Sequence, residues 1–236
     1  MDFQTIHVSE HGDGVHAITL YRPEKRNAIS IRMREEISHC LGDLARSEEV
    51  RVVIFTGSGP SFSSGFDLRE FKVEEQKEAL VSTSMSYHRL VWNFPKPTLA
   101  AVNGFAMGGG FDLATLCDMR IGSVRAIFGH PEVKFGGHPI ITPLRWIVGE
   151  GLARDLCLTG RHIDAREAHR IGLLSEVLPA DELMDRALEL ARMIAEAPLQ
   201  TLRDLKGWYG ESQGKGFEES FRLEHDEPFR TKFLKT

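Results

Sequence analysis

Two apolar, β-branched runs in this chain each lead into a glycine-containing turn, and both turns end on the same four letters. "VRVVIFTG" (Val50–Gly57) is followed by "PSFSSGFDL", and "TLAAVNG" (Thr98–Gly104) by "FAMGGGFDL". A nearly continuous run of this kind suits a strand buried on both faces. The three successive glycines Gly108, Gly109 and Gly110 weaken any helix or strand that contains them, by roughly 0.5–1 kcal/mol each relative to alanine. Something must need bare backbone there.

Around these runs the pattern alternates. "VHAITLY" (Val15–Tyr21) reads as a strand, and Ile37, Leu41 and Leu44 lie on one helical face behind a Ser30 N-cap. "DMRIGS" and "LLSEVLP" are short strands, and "DAREAHRIG" is a helix with an acidic cap and a terminating glycine. After Pro179 the pattern is helical, with Leu183, Ala187, Leu190 and Ile194 on one stripe. The expected class is α/β, with a core over residues 1–178 and a helical region over 179–236.

A net charge of −5 over 236 residues argues against a nucleic-acid or membrane-surface partner. Cys40, Cys117 and Cys157 form no CxxC pair and sit in apolar surroundings, so they read as buried thiols. The polar N-terminus carries no signal core, and no apolar run reaches the roughly 18 residues of a membrane span. The chain reads as a soluble, cytoplasmic protein.

Several glycine motifs fail. G-x-G-x-x-G requires a last glycine where the chain has Leu113 or Phe62, and no phosphate loop is present. "GESQG" (Gly210–Gly214) lies in the helical tail, where a nucleophile elbow has no strand to stand on. The histidines show no H-E-x-x-H spacing, so His130 and His162 read as ordinary histidines and no metal is expected.

Two glycine turns at strand ends can aim backbone N–H groups at one carbonyl oxygen. They can equally serve only close helix–strand packing, and spacing alone does not decide. The stretches "RPEKRNAIS", "FTGSGPSFSSGFDLREF", "AAVNGFAMGGGFDLATLCDMRIG", "FGHPEV" and "LTGRHIDAREAHRIGLLSEVLP" follow one another in this order. Together they resemble the enoyl-CoA hydratase/isomerase (crotonase) family over about Val15–Pro179. The resemblance implies a crotonase-like ββα spiral with a helical C-terminal region that builds trimers, often paired into hexamers. It implies an oxyanion hole made by the N–H groups of Phe66 and Gly109. The CoA arm of the substrate would lie along Ser64, Gly65, Asp67 and Leu68, near Arg22 and Lys25. The CoA thioester is itself the substrate, and no further cofactor is implied.

The family's two acids fall on Asp112 and Glu132. Two carboxylates suit the addition of water to a 2-enoyl-CoA, because one takes a proton from water while the other, or the same one, delivers a proton to the α-carbon. Hydratases usually carry glutamate where this chain has Asp112. A double-bond isomerase using Glu132 alone is therefore the second reading. The dienoyl isomerases carry a further aspartate where this chain has Ile140, which weakens that version. Decarboxylase or thioester hydrolase chemistry follows behind, and an RNA-binding or scaffold relative is the non-enzyme alternative. "HPIITPLRW" replaces the family's glycine-rich turn, bringing His138 and Thr142 toward the expected pocket. The tail ends at "EPFRTKFLKT" instead of the family's CoA-covering helix, leaving Lys232 and Lys235 as candidate substitutes for its lysine. The acyl pocket is expected along residues 71–94.

Overall fold

The computed structural model describes residues 3–234. An antiparallel pair, β1 (Ile6–Glu10) and β2 (Val15–Leu20), forms one edge of a six-stranded sheet. Helix α1 (Ile31–Arg46) follows, and Ser30 caps it by accepting the Met33 N–H at 3.1 Å. Strands β3 (Val52–Gly57) and β4 (Ser61–Ser63) then lead to α2 (Lys77–Trp92). The same order recurs in β5 (Thr98–Val102), β6 (Phe105–Met107) and α3 (Gly109–Leu116). A third turn runs through β7 (Met119–Ser123) and β8 (Ile127–Gly129) to α4 (Ile141–Val148) and α5 (Glu150–Thr159). Two strands and a helix are thus the repeating unit of a spiral.

The first strand of each unit joins the large sheet, in the order β1-β2-β3-β5-β7-β10, where β10 is Glu176–Leu178. The second joins a smaller sheet of order β4-β6-β8-β9, closed by β9 (Ile163–Asp164) and followed by α6 (Ala165–Arg170). Strands β3, β5 and β7 pair in parallel, with Phe55 opposite Ala100 and Ala100 opposite Arg120. Chains cross between the sheets where side chains would collide. A Cβ on Gly104 would lie 1.9 Å from the Pro60 carbonyl oxygen.

The large sheet is covered on both faces, which is why its strands do not alternate. Val53, Phe55, Ala100 and Val102 belong to the main core with Met33, Ile37 and Leu41 of α1. Val52, Ile54, Leu99 and Ala101 form a second core against Leu183, Ala187 and Ala191 of α7 (Leu183–Ala195). The change of character at Pro179 is therefore no break in packing: α7 seals the sheet. Of the expected stripe, Leu190 and Ile194 are half-buried at the margin of this core. Helices α8 (Leu199–Glu211), α9 (Phe217–Phe221) and α10 (Glu227–Phe233) complete the chain. Ser212 of "GESQG" ends α8 and bonds back to the Trp208 carbonyl, so it stands at a helix C-terminus and not on an elbow. All three cysteines are free and buried. Among the described residues no helix is long and apolar enough to cross a membrane.

Gly104→Ala is expected to cost about 3 kcal/mol or more of stability by overpacking. Gly207→Ala, in α8 with nothing within 4 Å of an added Cβ, should instead stabilise by about 0.5–1 kcal/mol. Urea denaturation of both variants against the wild type checks the contrast.

Candidate active site

The turns after β4 and β6 meet face to face. Gly65 has φ +90°, and a Cβ on it would stand 2.7 Å from the Met107 carbonyl oxygen and 3.3 Å from the Gly109 nitrogen. Only glycine accepts both that dihedral and that approach. Ile29 bridges the first turn: its N–H donates to Gly65 O at 2.8 Å, and its carbonyl accepts the Asp67 N–H at 3.2 Å. In a parallel bridge the residue between those two bonds points its own N–H away from the partner strand, and here that residue is Phe66. In the second turn Gly108 has φ +49°, donates to Gly129 O at 2.9 Å and accepts the Asp112 N–H at 2.9 Å. Gly109 opens α3, so its N–H has no intrahelical acceptor. Among the described residues neither Phe66 N–H nor Gly109 N–H has a hydrogen-bond partner.

Each glycine of the triplet has its own neighbour. A Cβ on Gly108 would approach Glu132 Oε2 to 3.1 Å, one on Gly109 would strike the Phe66 ring at 2.8 Å, and one on Gly110 would strike Ser63 at 2.7 Å. The triplet therefore serves close packing and backbone exposure together.

The two acids arrive from different elements. Asp112 lies in the first turn of α3, only 6% exposed, and accepts the Ile140 N–H at 3.3 Å. Glu132 lies in a 3-10 turn, Pro131–Phe135, that follows β8. His130 stands between them. Its Nδ1 is 2.8 Å from Glu132 Oε1, its Nε2 is 3.8 Å from Asp112 Oδ1, and its ring stacks on Phe111 at 4.7 Å. Burial pushes the Asp112 carboxyl up from 3.8 to about 7; the nearby His130 opposes this and the Glu132 charge reinforces it. Among the described residues Glu132 Oε2 is buried without a partner, on the side facing Gly108.

Asp112, His130 and Glu132 also have the donor types of a metal site, with one ligand atom from each inside 4.8 Å. The 2.8 Å spacing of Nδ1 and Oε1 is that of a hydrogen bond, which fits a proton held between the two groups.

These groups share one cleft of about 840 Å³. Phe66, Gly109, Asp112 and Glu132 line its floor; Lys25, Ser64, Gly65, Asp67, Leu68 and the exposed His138 line its walls and mouth. Arg22 is not among the lining residues. Its guanidinium donates to Asp67 at 2.9 Å and to the Ala28 carbonyl at 2.6 Å, so it braces the cleft from behind. Arg26 and Arg69 stand on the lining instead. Thr142 is exposed on α4 and does not reach the cleft. Lys235 lies outside the described residues, as does the side chain of Lys232.

Two residues carry more than their sequence pattern assigns them. By spacing His130 reads as an ordinary histidine, yet its place directly before "PE" puts it beside both acids. Asn27 holds the "RPEKRN" segment in register from a left-handed φ of 54°. It is wholly buried, and its side chain accepts from Arg22 N–H and donates to Ser58 and Ser61 carbonyls. Asparagine's tolerance of positive φ was the available signal there.

A parallel-stranded spiral with two open amides above a pair of carboxylates defines a class of enzymes that polarise a carbonyl and move a proton beside it. The comparisons narrow that class. The model of the enoyl-CoA hydratase/isomerase family matches residues 10–226. A putative enoyl-CoA hydratase of Thermus thermophilus is 37% identical over 217 residues, spanning 89% of this chain and 85% of that one. The short-chain-enoyl-CoA hydratase of Clostridium acetobutylicum is 37% identical over 212 residues, spanning 84% and 78%. The crystal structure of an enoyl-CoA hydratase from Bacillus anthracis superposes with a TM-score of 0.91 at 31% identity, covering 99% of this chain and 92% of that one. The chain belongs to the enoyl-CoA hydratase/isomerase family.

Burial raises the Asp112 carboxyl in the folded chain from its ordinary 3.8 to about 7. Its folded pKa is raised, so its neutral form favours folding at low pH, and that contribution is lost as pH rises from about 4 to 7. Asp112→Asn, which mimics the neutral form, should gain stability relative to wild type at pH 8 compared with pH 4.5. Urea midpoints at the two pH values check this; an unchanged difference contradicts it.

Proposed function

We propose that this chain is an acyl-CoA-processing enzyme whose reaction is the addition of water to a 2-enoyl-CoA. The observation that carries this reading is the pair of unpartnered N–H groups, Phe66 and Gly109, on the same cleft as Asp112 and Glu132. The thioester oxygen accepts both N–H groups and gains negative charge as the double bond is attacked. Glu132 takes a proton from water, the hydroxyl adds to the β-carbon, and the enolate takes a proton at the α-carbon from the Glu132 carboxyl. Asp112 orients the water. His130 donates to Glu132 and fixes its orientation.

Lys25, Arg26 and Arg69 supply the positive charge that CoA phosphates need beside Ser64–Leu68. No cofactor beyond the CoA thioester enters this reaction, and the three free cysteines suit a reducing cytoplasm. Asp112 favours the isomerase as the second reading, because its buried Oδ1 already accepts the Ile140 N–H. Isomerisation then needs Glu132 alone.

Crotonyl-CoA hydration, followed by loss of the conjugated thioester absorbance, tests the proposal. Glu132→Gln should lower kcat by on the order of 10²–10⁴. A wild type that binds crotonyl-CoA without hydrating it, but shifts the double bond of a 3-enoyl-CoA, moves the assignment to isomerisation.

The C-terminal helices form the oligomerisation region of a homotrimer or hexamer. Support comes from an aromatic ladder at helical spacing: Phe217, Phe221, His225 and Phe229 stack in succession at 5.4, 4.6 and 5.3 Å. Phe217 is 79% and Phe229 56% exposed, and exposed apolar surface of this extent marks an interface. Sedimentation equilibrium should give a mass that is a multiple of three chains, and Phe221→Glu with Phe229→Glu should shift it toward one.

A further inference from the structure

Buried polar groups that lack hydrogen-bond partners gather behind the Phe66 ring. Arg34 of α1 is wholly buried, and among the described residues its Nε, Nη1 and Nη2 have no hydrogen-bond partner. The carboxylate it faces most closely, Glu70, is 3.9 Å away. Both oxygens of Glu70 already accept the Ile31 N–H, at 3.0 and 2.9 Å. Glu70 thus balances the charge of Arg34 while leaving its planar fork open. Two further groups come from α2. Among the described residues the Tyr87 hydroxyl is buried and unpartnered, and so is His88 Nε2, the acceptor nitrogen of a neutral ring whose N–H faces the Ser84 carbonyl. The His88 ring lies 5.7 Å from the Phe66 ring, and the Arg34 guanidinium lies 4.6 Å from the same ring. Phe66, which lines the cleft, is the residue that separates the guanidinium from it.

Such a set is costly to bury empty-handed, because each unmatched donor has given up water. An alkyl tail would match none of them. A carboxylate would match Arg34 and Tyr87: the Arg34 fork binds two oxygens in its plane, and the Tyr87 hydroxyl donates to one of them. Phe66 links the two ends of the site. Its N–H faces the cleft, while its ring covers Gly109 and stacks on the guanidinium. A tail that turns the ring aside exchanges a cation–π contact for stronger charge-assisted hydrogen bonds.

We propose that Arg34 and Tyr87 form a recognition site for the far end of the acyl group, and that the substrate class is enoyl-CoA thioesters whose chain ends in a carboxylate. The proposal rests on the acyl-CoA reading given above. It also places the polar end of the acyl pocket on α1 and α2.

Calorimetric titration of the full chain with two saturated thioesters of equal length, hexanoyl-CoA and adipoyl-CoA, tests it without depending on the reaction. Adipoyl-CoA should bind about 10-fold tighter or more, the effect expected of hydrogen bonds to a charged group. Arg34→Leu should abolish or reverse that preference. Should that variant fail to fold, Tyr87→Phe should reduce it. Equal affinities in the wild type, tighter hexanoyl-CoA, or a preference untouched in every folded variant overturns the proposal while sparing the acyl-CoA reading. Binding of neither thioester overturns both.

Discussion

The contact on which the rest of this molecule depends is the meeting of two bare backbones. The turn containing Gly65 lies against Met107 and Gly109 with no room for a Cβ on either side. Any side chain there would separate two strand ends that the spiral brings together, and the amides of Phe66 and Gly109 would no longer face one cleft. The surrounding structure holds that contact from several directions. Ile29 bridges one turn, Gly129 anchors the other, and Asn27 fixes the segment that carries Ile29. Backbone N–H groups held in this way need no reorganisation when charge develops on an oxygen between them, which is where such sites derive their effect.

Around that frame the molecule places charge in poorly solvated positions. Asp112 is buried and its proton affinity rises accordingly, while His130 hydrogen-bonds Glu132 at 2.8 Å with its other nitrogen 3.8 Å from Asp112. On the far side of the Phe66 ring, Arg34 is buried with its fork open. A chain of this size tolerates few such groups. Phe66 stands between them, because it lines the cleft while its ring lies over the Arg34 guanidinium.

Strand and helix periods in the sequence foretold much of the large sheet. Val52–Gly57 and Thr98–Val102 were legible because a strand covered on both faces is apolar throughout. Ser30 and Asp164 were legible as caps, since each accepts an N–H three residues on. The smaller sheet was not legible. Strands β4, β6 and β8 have three residues each, too short for any period to declare itself, and they exist because neighbouring turns of the spiral lie beside them.

The sequence by itself determined the turns, the acids and the family, because glycine and carboxylate chemistry is local and their order along the chain carries the motif. The tertiary structure decided which groups share a space. It withdrew Arg22 from the cleft by pairing it with Asp67, and it set His130 between two carboxylates. It also brought Arg34 of one helix against Tyr87 and His88 of the next behind a single ring. Those outcomes depend on how distant segments pack, and the energy of a charge depends on what surrounds it. Neither is written in the spacing of residues along a chain.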